Sequence, residues 1–101
     1  MFNFISFNLN IIVSKQKKFI KLMFKSKPLL LLLSLRDGPK YATIISKRID
    51  CTYSHTIKLL DEFEKLGLVK FEKRGRIKLV YLTNEGEKVL KGVEELLKRI
   101  E

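Results

Sequence analysis

Five basic residues surround Gly75 within nine positions: Lys70, Lys73, Arg74, Arg76 and Lys78. Lysine and arginine form charge-assisted hydrogen bonds with phosphate oxygens, and arginine can also enter a narrow minor groove of DNA. Gly75 can adopt the positive φ that a tight hairpin needs, so Arg74 and Arg76 would flank the hairpin tip. We interpret this segment as a basic wing that contacts a phosphate backbone; the alternative is a hairpin that is basic only for solubility.

A second group of residues begins a predicted helix and carries hydroxyls, an imidazole, an amine and an apolar side chain. Its members are Thr52, Tyr53, Ser54, His55, Ile57 and Lys58. On an outward helix face, such groups can contact base edges, phosphates or a thymine methyl. Alternatively, Thr52 only caps the helix while Tyr53 and His55 pack on neighbours. The outward part holds no arginine, which predicts modest base discrimination or a site rich in A·T pairs.

Further basic residues lie around the two preceding elements and are weaker candidates for backbone contacts: Lys40, Lys47 and Arg48. The chain has one cysteine, Cys51, and one histidine, His55. These two cannot assemble a zinc site or a credible catalytic triad, and no phosphate-binding glycine loop is present. We therefore expect no enzyme activity, no metal and no cofactor. Cys51 is interpreted as a buried turn residue, or as a redox sensor if its thiol is exposed and acidic.

The charge balance favours an anionic partner. The 101 residues include 21 Lys and Arg against 11 Asp and Glu, a formal net charge of +10. Such a field favours DNA, RNA or an acidic membrane surface, although it also suits simple solubility or a thermophile. No signal peptide is evident, and the apolar run Leu29–Leu33 is far shorter than the ~20 residues of a membrane span. We expect a cytoplasmic protein for which a membrane partner is unlikely.

The periodicity and the turn signals predict an ordered set of elements. Residues 4–13 alternate as a half-buried strand, and residues 15–25 suggest a short basic helix, a second strand or a poorly ordered segment. Pro28 lies early in a helix that continues over Leu29–Leu35. Tyr41 is in a short extended piece. The remaining elements are a helix over Ile44–Ile49 capped by Thr43, a turn at residues 50–52, a helix over Tyr53–Leu66 ended by Gly67, strands at Leu68–Lys73 and Ile77–Leu82, and a helix over Asn84–Ile100 capped by Thr83.

This order predicts an α+β fold, mainly α: a winged helix-turn-helix with a three-helix core, a β-hairpin wing, a C-terminal helix and an N-terminal arm. We divide the chain into a basic arm over residues 1–27, a winged helix-turn-helix over 28–83 and a C-terminal helix over 84–101. The recognition helix is expected from Thr52 to Gly67. The arm has no acidic residue, and it is either a dimerisation element or an added extension.

The segments "ISKRID", "EKLGLV", "KRGR" and "LTNEGEKVL" together resemble winged helix-turn-helix regulators related to MarR, particularly small archaeal ones. The resemblance covers residues 28–92, about two thirds of the chain; residues 1–25 match no element of that family. It implies double-stranded DNA binding and transcriptional regulation by a homodimer on an operator with two half-sites. It says nothing about an effector ligand.

The final helix carries an apolar stripe at heptad-like spacing: Val89, Val93, Leu96, Leu97 and Ile100. This stripe predicts pairing with a second copy, or packing on the first helix and the arm.

The residues alone leave two other functions open. One is an architectural, replication-associated or protein-interaction module without a discrete operator. The other is a membrane-surface anchor formed by the basic amphipathic segment Lys15–Lys27.

Overall fold

The computed structural model describes residues 13–100, which form five helices and a three-stranded sheet. The elements are α1 (Ser14–Met23), α2 (Ser26–Ser34), β1 (Lys40–Tyr41), α3 (Ala42–Arg48), α4 (Tyr53–Lys65), β2 (Val69–Arg74), β3 (Ile77–Leu82) and α5 (Asn84–Arg99). This architecture confirms the predicted fold class. The strand expected over residues 4–13 lies outside the described residues, except that Val13 is the N-cap residue of α1. A helix, and not a second strand, forms over Ser14–Met23.

The core lies where the helices meet the sheet. Leu31 of α2, Ile45 of α3, Leu60 and Phe63 of α4, and Val80 of β3 are completely inaccessible to solvent. Burial of such side chains stabilises the fold by about 1.5–3 kcal/mol each relative to exposure. Leu60 and Phe63 are three residues apart, a spacing that places both on one side of α4. That side is the one that packs against the other helices and the sheet.

One predicted helix start was wrong. Helix α2 begins at Ser26, with Pro28 in its first turn as predicted. Helix α3, however, begins at Ala42, so Thr43 lies inside α3 and does not cap it. The reason is that Tyr41 pairs with Leu79 in the sheet, and the chain passes from that extended residue directly into the helix. The N-cap position of α3 is consequently Tyr41, whose side chain makes no capping hydrogen bond.

The sheet is antiparallel with the order β1-β3-β2. Strand β2 extends one residue further than expected, because Arg74 pairs with Ile77 and leaves only Gly75 and Arg76 in the loop. Gly75 has φ 64°, and Arg76 is not among the residues with positive φ. A positive φ at only the first loop residue matches a type II′ hairpin turn, whose twist suits the two flanking strands.

Helix α5 begins at a cap that also connects it to the end of α4. The Thr83 hydroxyl accepts a hydrogen bond from the Gly86 amide (3.0 Å) and donates one to the Gly67 carbonyl (2.6 Å). Gly67 itself has φ 80°, the left-handed conformation predicted for the residue that ends α4. The hydrogen bond between Thr83 and Gly67 therefore joins the two ends of the segment that contains the hairpin.

Candidate nucleic-acid interface

The N-terminal end of α4 is capped and open to solvent. The Thr52 hydroxyl accepts a hydrogen bond from the His55 amide (3.2 Å), and the Thr52 carbonyl accepts one from the Thr56 hydroxyl (2.9 Å). Beyond this cap, Tyr53 is 43% exposed, and Ser54 and His55 are also exposed. The unpaired amides and the positive end of the helix dipole favour an anion here.

The outward face of α4 differs in one respect from the sequence prediction. Ser54 and Lys58 are exposed as expected, but Ile57 is half-buried and packs against the hydrophobic core. The prediction that Ile57 projects outward was therefore only partly correct, because the core covers one side of its side chain. The face that a ligand can reach is polar: hydroxyls, the His55 imidazole and the Lys58 amine.

The hairpin of β2 and β3 presents cations of two kinds. Arg74 is engaged, since its Nε and Nη2 donate to one Glu72 carboxylate oxygen at 3.2 and 3.0 Å. Lys78 is half-buried, with its Nζ 5.0 Å from the centre of the Phe71 ring in a cation–π contact. The exposed cations without an ion pair in the described part of the hairpin are Lys70, Lys73 and Arg76. The sequence could not distinguish these two groups.

The basic residues around α3 also separate into two kinds. Lys47 and Arg48 are exposed in the last turn of α3. Lys40, in contrast, donates to the Asp37 carboxylate (2.7 Å), and only 15% of its side chain is exposed. The hydrogen bond from Lys40, together with the backbone amide of Asp37, lowers the pKa of the Asp37 carboxyl. Lys40 is therefore a poor candidate for a phosphate contact, although Lys47 and Arg48 remain available.

Sequence reasoning missed the residue that holds the turn between α3 and α4. The Lys27 amine donates to the carbonyls of Ile49 (2.6 Å) and Asp50 (2.9 Å). Asp50 has φ 54°, a left-handed conformation that is uncommon outside glycine. Lys27 was assigned to the basic arm because nothing in the local sequence indicates a partner more than twenty residues away. Cys51 in the same turn is half-buried against the core.

The apolar stripe of α5 divides into two parts. Val89 and Val93 are half-buried and pack against the core. Further along, Leu96 is 66% exposed, Leu97 37% and Ile100 80%. The first half of the stripe thus belongs to the domain itself, and the second half is an uncovered apolar surface.

Within residues 13–100, no three His, Cys, Asp or Glu side chains come together as they would around a metal ion. In the same range, no helix is long and apolar enough to cross a membrane.

Comparison with known proteins relates the chain to other winged helix proteins, although no family model matches it. An uncharacterised protein from Archaeoglobus fulgidus is 29% identical over 83 residues, which cover 77% of this chain and 87% of that protein. The crystal structure of AF1382 from the same organism is 28% identical, with a TM-score of 0.72 over 82% of this chain and 97% of that one.

Two proteins below 25% identity share the fold. The homodimeric winged helix-turn-helix DNA-binding domain of Mb0332 from Mycobacterium bovis is 15% identical, with a TM-score of 0.71 over 83% of this chain and 79% of that one. The transcriptional regulator BldR from Sulfolobus solfataricus is 24% identical, with a TM-score of 0.69 over 90% of this chain and 68% of that one. The chain therefore has the winged helix-turn-helix fold found in transcriptional regulators.

Proposed function

We propose that the protein binds double-stranded DNA through α4 and the β2–β3 hairpin and regulates transcription as a homodimer, in the manner of the MarR-related regulators that its sequence resembles. The observation that carries this proposal is the exposed, capped end of α4 in the same domain as a hairpin with three unpaired cations. Both belong to a chain with a formal net charge of +10.

The two elements would contribute differently to binding. An α-helix fits the major groove of B-DNA, and the N-terminal part of a recognition helix meets the base edges. Ser54 and Lys58 are exposed on α4 beside Tyr53 and His55, and both can donate to bases or phosphates. The hairpin cations Lys73 and Arg76 would neutralise phosphates beside the groove, which adds affinity without base selection. This surface has few charged base readers, as expected from the absence of an outward arginine.

Dimerisation would use the uncovered end of α5. Leu96, Leu97 and Ile100 form an apolar surface that a second copy of the chain can cover. A two-fold dimer would place two copies of α4 on half-sites about 34–36 Å apart along the DNA. Sedimentation of the wild-type chain and of Leu96→Glu tests this, with Lys98→Glu as a control on the same helix. A monomeric wild-type chain at micromolar concentration would contradict the dimer.

Selection of bound fragments from a random duplex library tests the proposed function. We expect a discrete sequence to be enriched with the wild-type chain. Lys58→Ala should change which sequence is enriched, whereas Arg76→Ala should weaken all sequences and reduce the salt dependence of binding. Lys91→Ala, at an exposed position of α5, serves as the control. Failure of the wild-type chain to bind any duplex at low salt would refute the proposal.

One observation favours a second candidate, an architectural protein that coats DNA without an operator. The exposed positions on the outward face of α4 carry no arginine, the residue that most often reads guanine. Footprinting on a long natural duplex separates the two functions. Protection of one bounded site supports a regulator, and uniform, salt-sensitive protection supports the architectural protein.

A further inference from the structure

A groove lined by five lysines lies between α1 and the C-terminal end of α4. Its volume is about 660 Å³, and its basic lining residues are Lys15, Lys18, Lys21, Lys25 and Lys65. The other lining residues are Ser14, Leu22, Leu66 and one acid, Glu62. The groove lies away from the capped end of α4, since Tyr53 and Lys65 are twelve residues apart, about 18 Å along the helix axis. It therefore does not belong to the interface described above.

The positive charge of this groove is compensated only in part, because Glu62 is the one acid among its lining residues. All five lysines are exposed, and none forms an ion pair within residues 13–100. No acidic residue occurs in the chain before Asp37, so α1 has none of its own. Like charges that share a concave surface repel one another, and an anion bound in the groove relieves that repulsion. The chemistry of the lining residues consequently selects a polyanion.

The spacing of the lysines indicates an extended polyanion. Lys15, Lys18 and Lys21 follow one side of α1 at intervals of three residues, and Lys25 is the N-cap residue of α2 just beyond them. At 1.5 Å per residue, the three lysines of α1 form a row about 9 Å long with steps of about 4.5 Å. A single compact anion can contact only part of such a row, whereas successive phosphates of a nucleic-acid strand can follow its whole length.

The groove is aligned with the proposed recognition surface. Lys58 and Lys65 are seven residues apart on α4, so they project from nearly the same side of the helix, about 10 Å apart along its axis. The exposed acids Asp61 and Glu62 lie between these two lysines, so α4 carries two separate cationic positions on one side. A duplex that lies along α4 can contact both, which favours a duplex over a lipid surface, although Phe24, the C-cap residue of α1, is 87% exposed and would suit a membrane.

We propose that the groove between α1 and α4 binds the phosphate backbone of the DNA outside the stretch that meets the N-terminal end of α4. This inference rests on the proposed DNA-binding function and adds to it a second, sequence-independent contact. The five lysines act as point charges on flexible stems, which can follow a backbone without reading bases. Their contribution is to affinity and to its salt dependence.

The test measures DNA affinity against salt concentration with a 40-base-pair duplex of mixed sequence. The groove variant is Lys18→Ala with Lys21→Ala, and the matched control is Lys88→Ala with Lys91→Ala, which removes the same charge from exposed positions of α5. Each phosphate contact contributes about 0.9 to the slope of log affinity against log salt. We expect the groove variant to lose about two units of slope, and the control to keep the wild-type slope.

Amide NMR spectra of the full chain, titrated with the same duplex, provide a readout that needs no variant. We expect shifts in residues 14–25 and 62–66 as well as at the start of α4. If the wild-type chain binds DNA while the groove variant keeps its slope and α1 does not shift, the groove proposal fails and the proposed function stands. If the wild-type chain binds no DNA, the proposed function fails. Loss of binding to phosphatidylglycerol vesicles in the groove variant, with DNA binding unchanged, would assign the groove to a membrane and overturn the proposal.

Discussion

Gly86 in the first turn of α5 lies directly against the backbone carbonyl of Leu68, so a β-carbon at position 86 would overlap the Leu68 oxygen. The same oxygen accepts a hydrogen bond from the Thr83 amide (3.0 Å). The start of α5 is therefore pressed onto the chain segment that leaves α4, and only glycine allows this approach. The segment "LTNEG" was part of the resemblance to winged helix-turn-helix regulators. The contact with Leu68 is the physical reason why its last residue is glycine.

Gly86→Ala should destabilise the protein by about 3 kcal/mol, because a backbone carbonyl cannot move aside as a side chain can. Gly92→Ala is the control within the same helix, because nothing lies within 4 Å of an added β-carbon there. That control should stabilise the protein by up to about 1 kcal/mol through helix propensity. Urea denaturation followed by circular dichroism measures both. Equal effects at the two positions would contradict the close approach.

Thr52→Ala should cost about 1 kcal/mol of stability, because the His55 amide loses its capping acceptor. The control is Thr43→Ala, at an exposed position inside α3 where no cap exists. We expect that change to be neutral in the same denaturation experiment. A larger loss for Thr43→Ala than for Thr52→Ala would reverse the assignment of the two threonines.

DNA binding by the β2–β3 hairpin should depend on Arg76 more than on Arg74. Arg74 is already paired with Glu72, whereas Arg76 has no ion pair in the described chain. In the DNA assay, Arg76→Ala should reduce the salt slope by about one unit, and Arg74→Ala by clearly less. Glu72→Gln should release Arg74 and tighten binding. Weaker binding by Glu72→Gln would show that this pair positions the arginine for DNA.

The Asp37 carboxyl should titrate below its ordinary range, since Lys40 and the backbone amide stabilise its charged form. A lowered folded-state pKa contributes stability above the unfolded value of about 3.9, and this contribution is lost as the pH falls through the folded value. Carboxyl NMR titration of Asp37 measures the shift directly. Lys40→Met should raise the pKa towards its ordinary value, and Lys47→Met should leave it unchanged. The effect on overall stability is small because Asp37 is exposed.

The sequence predicted the elements of the fold where their signals are local. The apolar spacing around Leu60 and Phe63, the Thr83 cap and the positive φ of Gly67 and Gly75 all depend on residues within a few positions. The start of α3 was wrong because it depends on a strand pairing between Tyr41 and Leu79, which are far apart in sequence.

The candidate site was less predictable for the same reason. The exposure of Ser54 and Lys58 follows from the helical period, but the partial burial of Ile57 depends on the core packed beside it. The engagement of Lys40 and Arg74 depends on where nearby carboxylates lie in three dimensions. The lysine groove requires α1 to lie beside the end of α4, which no local pattern indicates.

The contact of Lys27 with the Ile49 and Asp50 carbonyls has a mechanical consequence. The angle between two helices joined by a short turn would otherwise be set by their mutual packing alone. Here the Lys27 amine also ties the turn to α2 through two hydrogen bonds, so a third helix restrains the turn. The stiffness of the helix-turn-helix, and not only its stability, thus depends on a residue that belongs to neither of its helices.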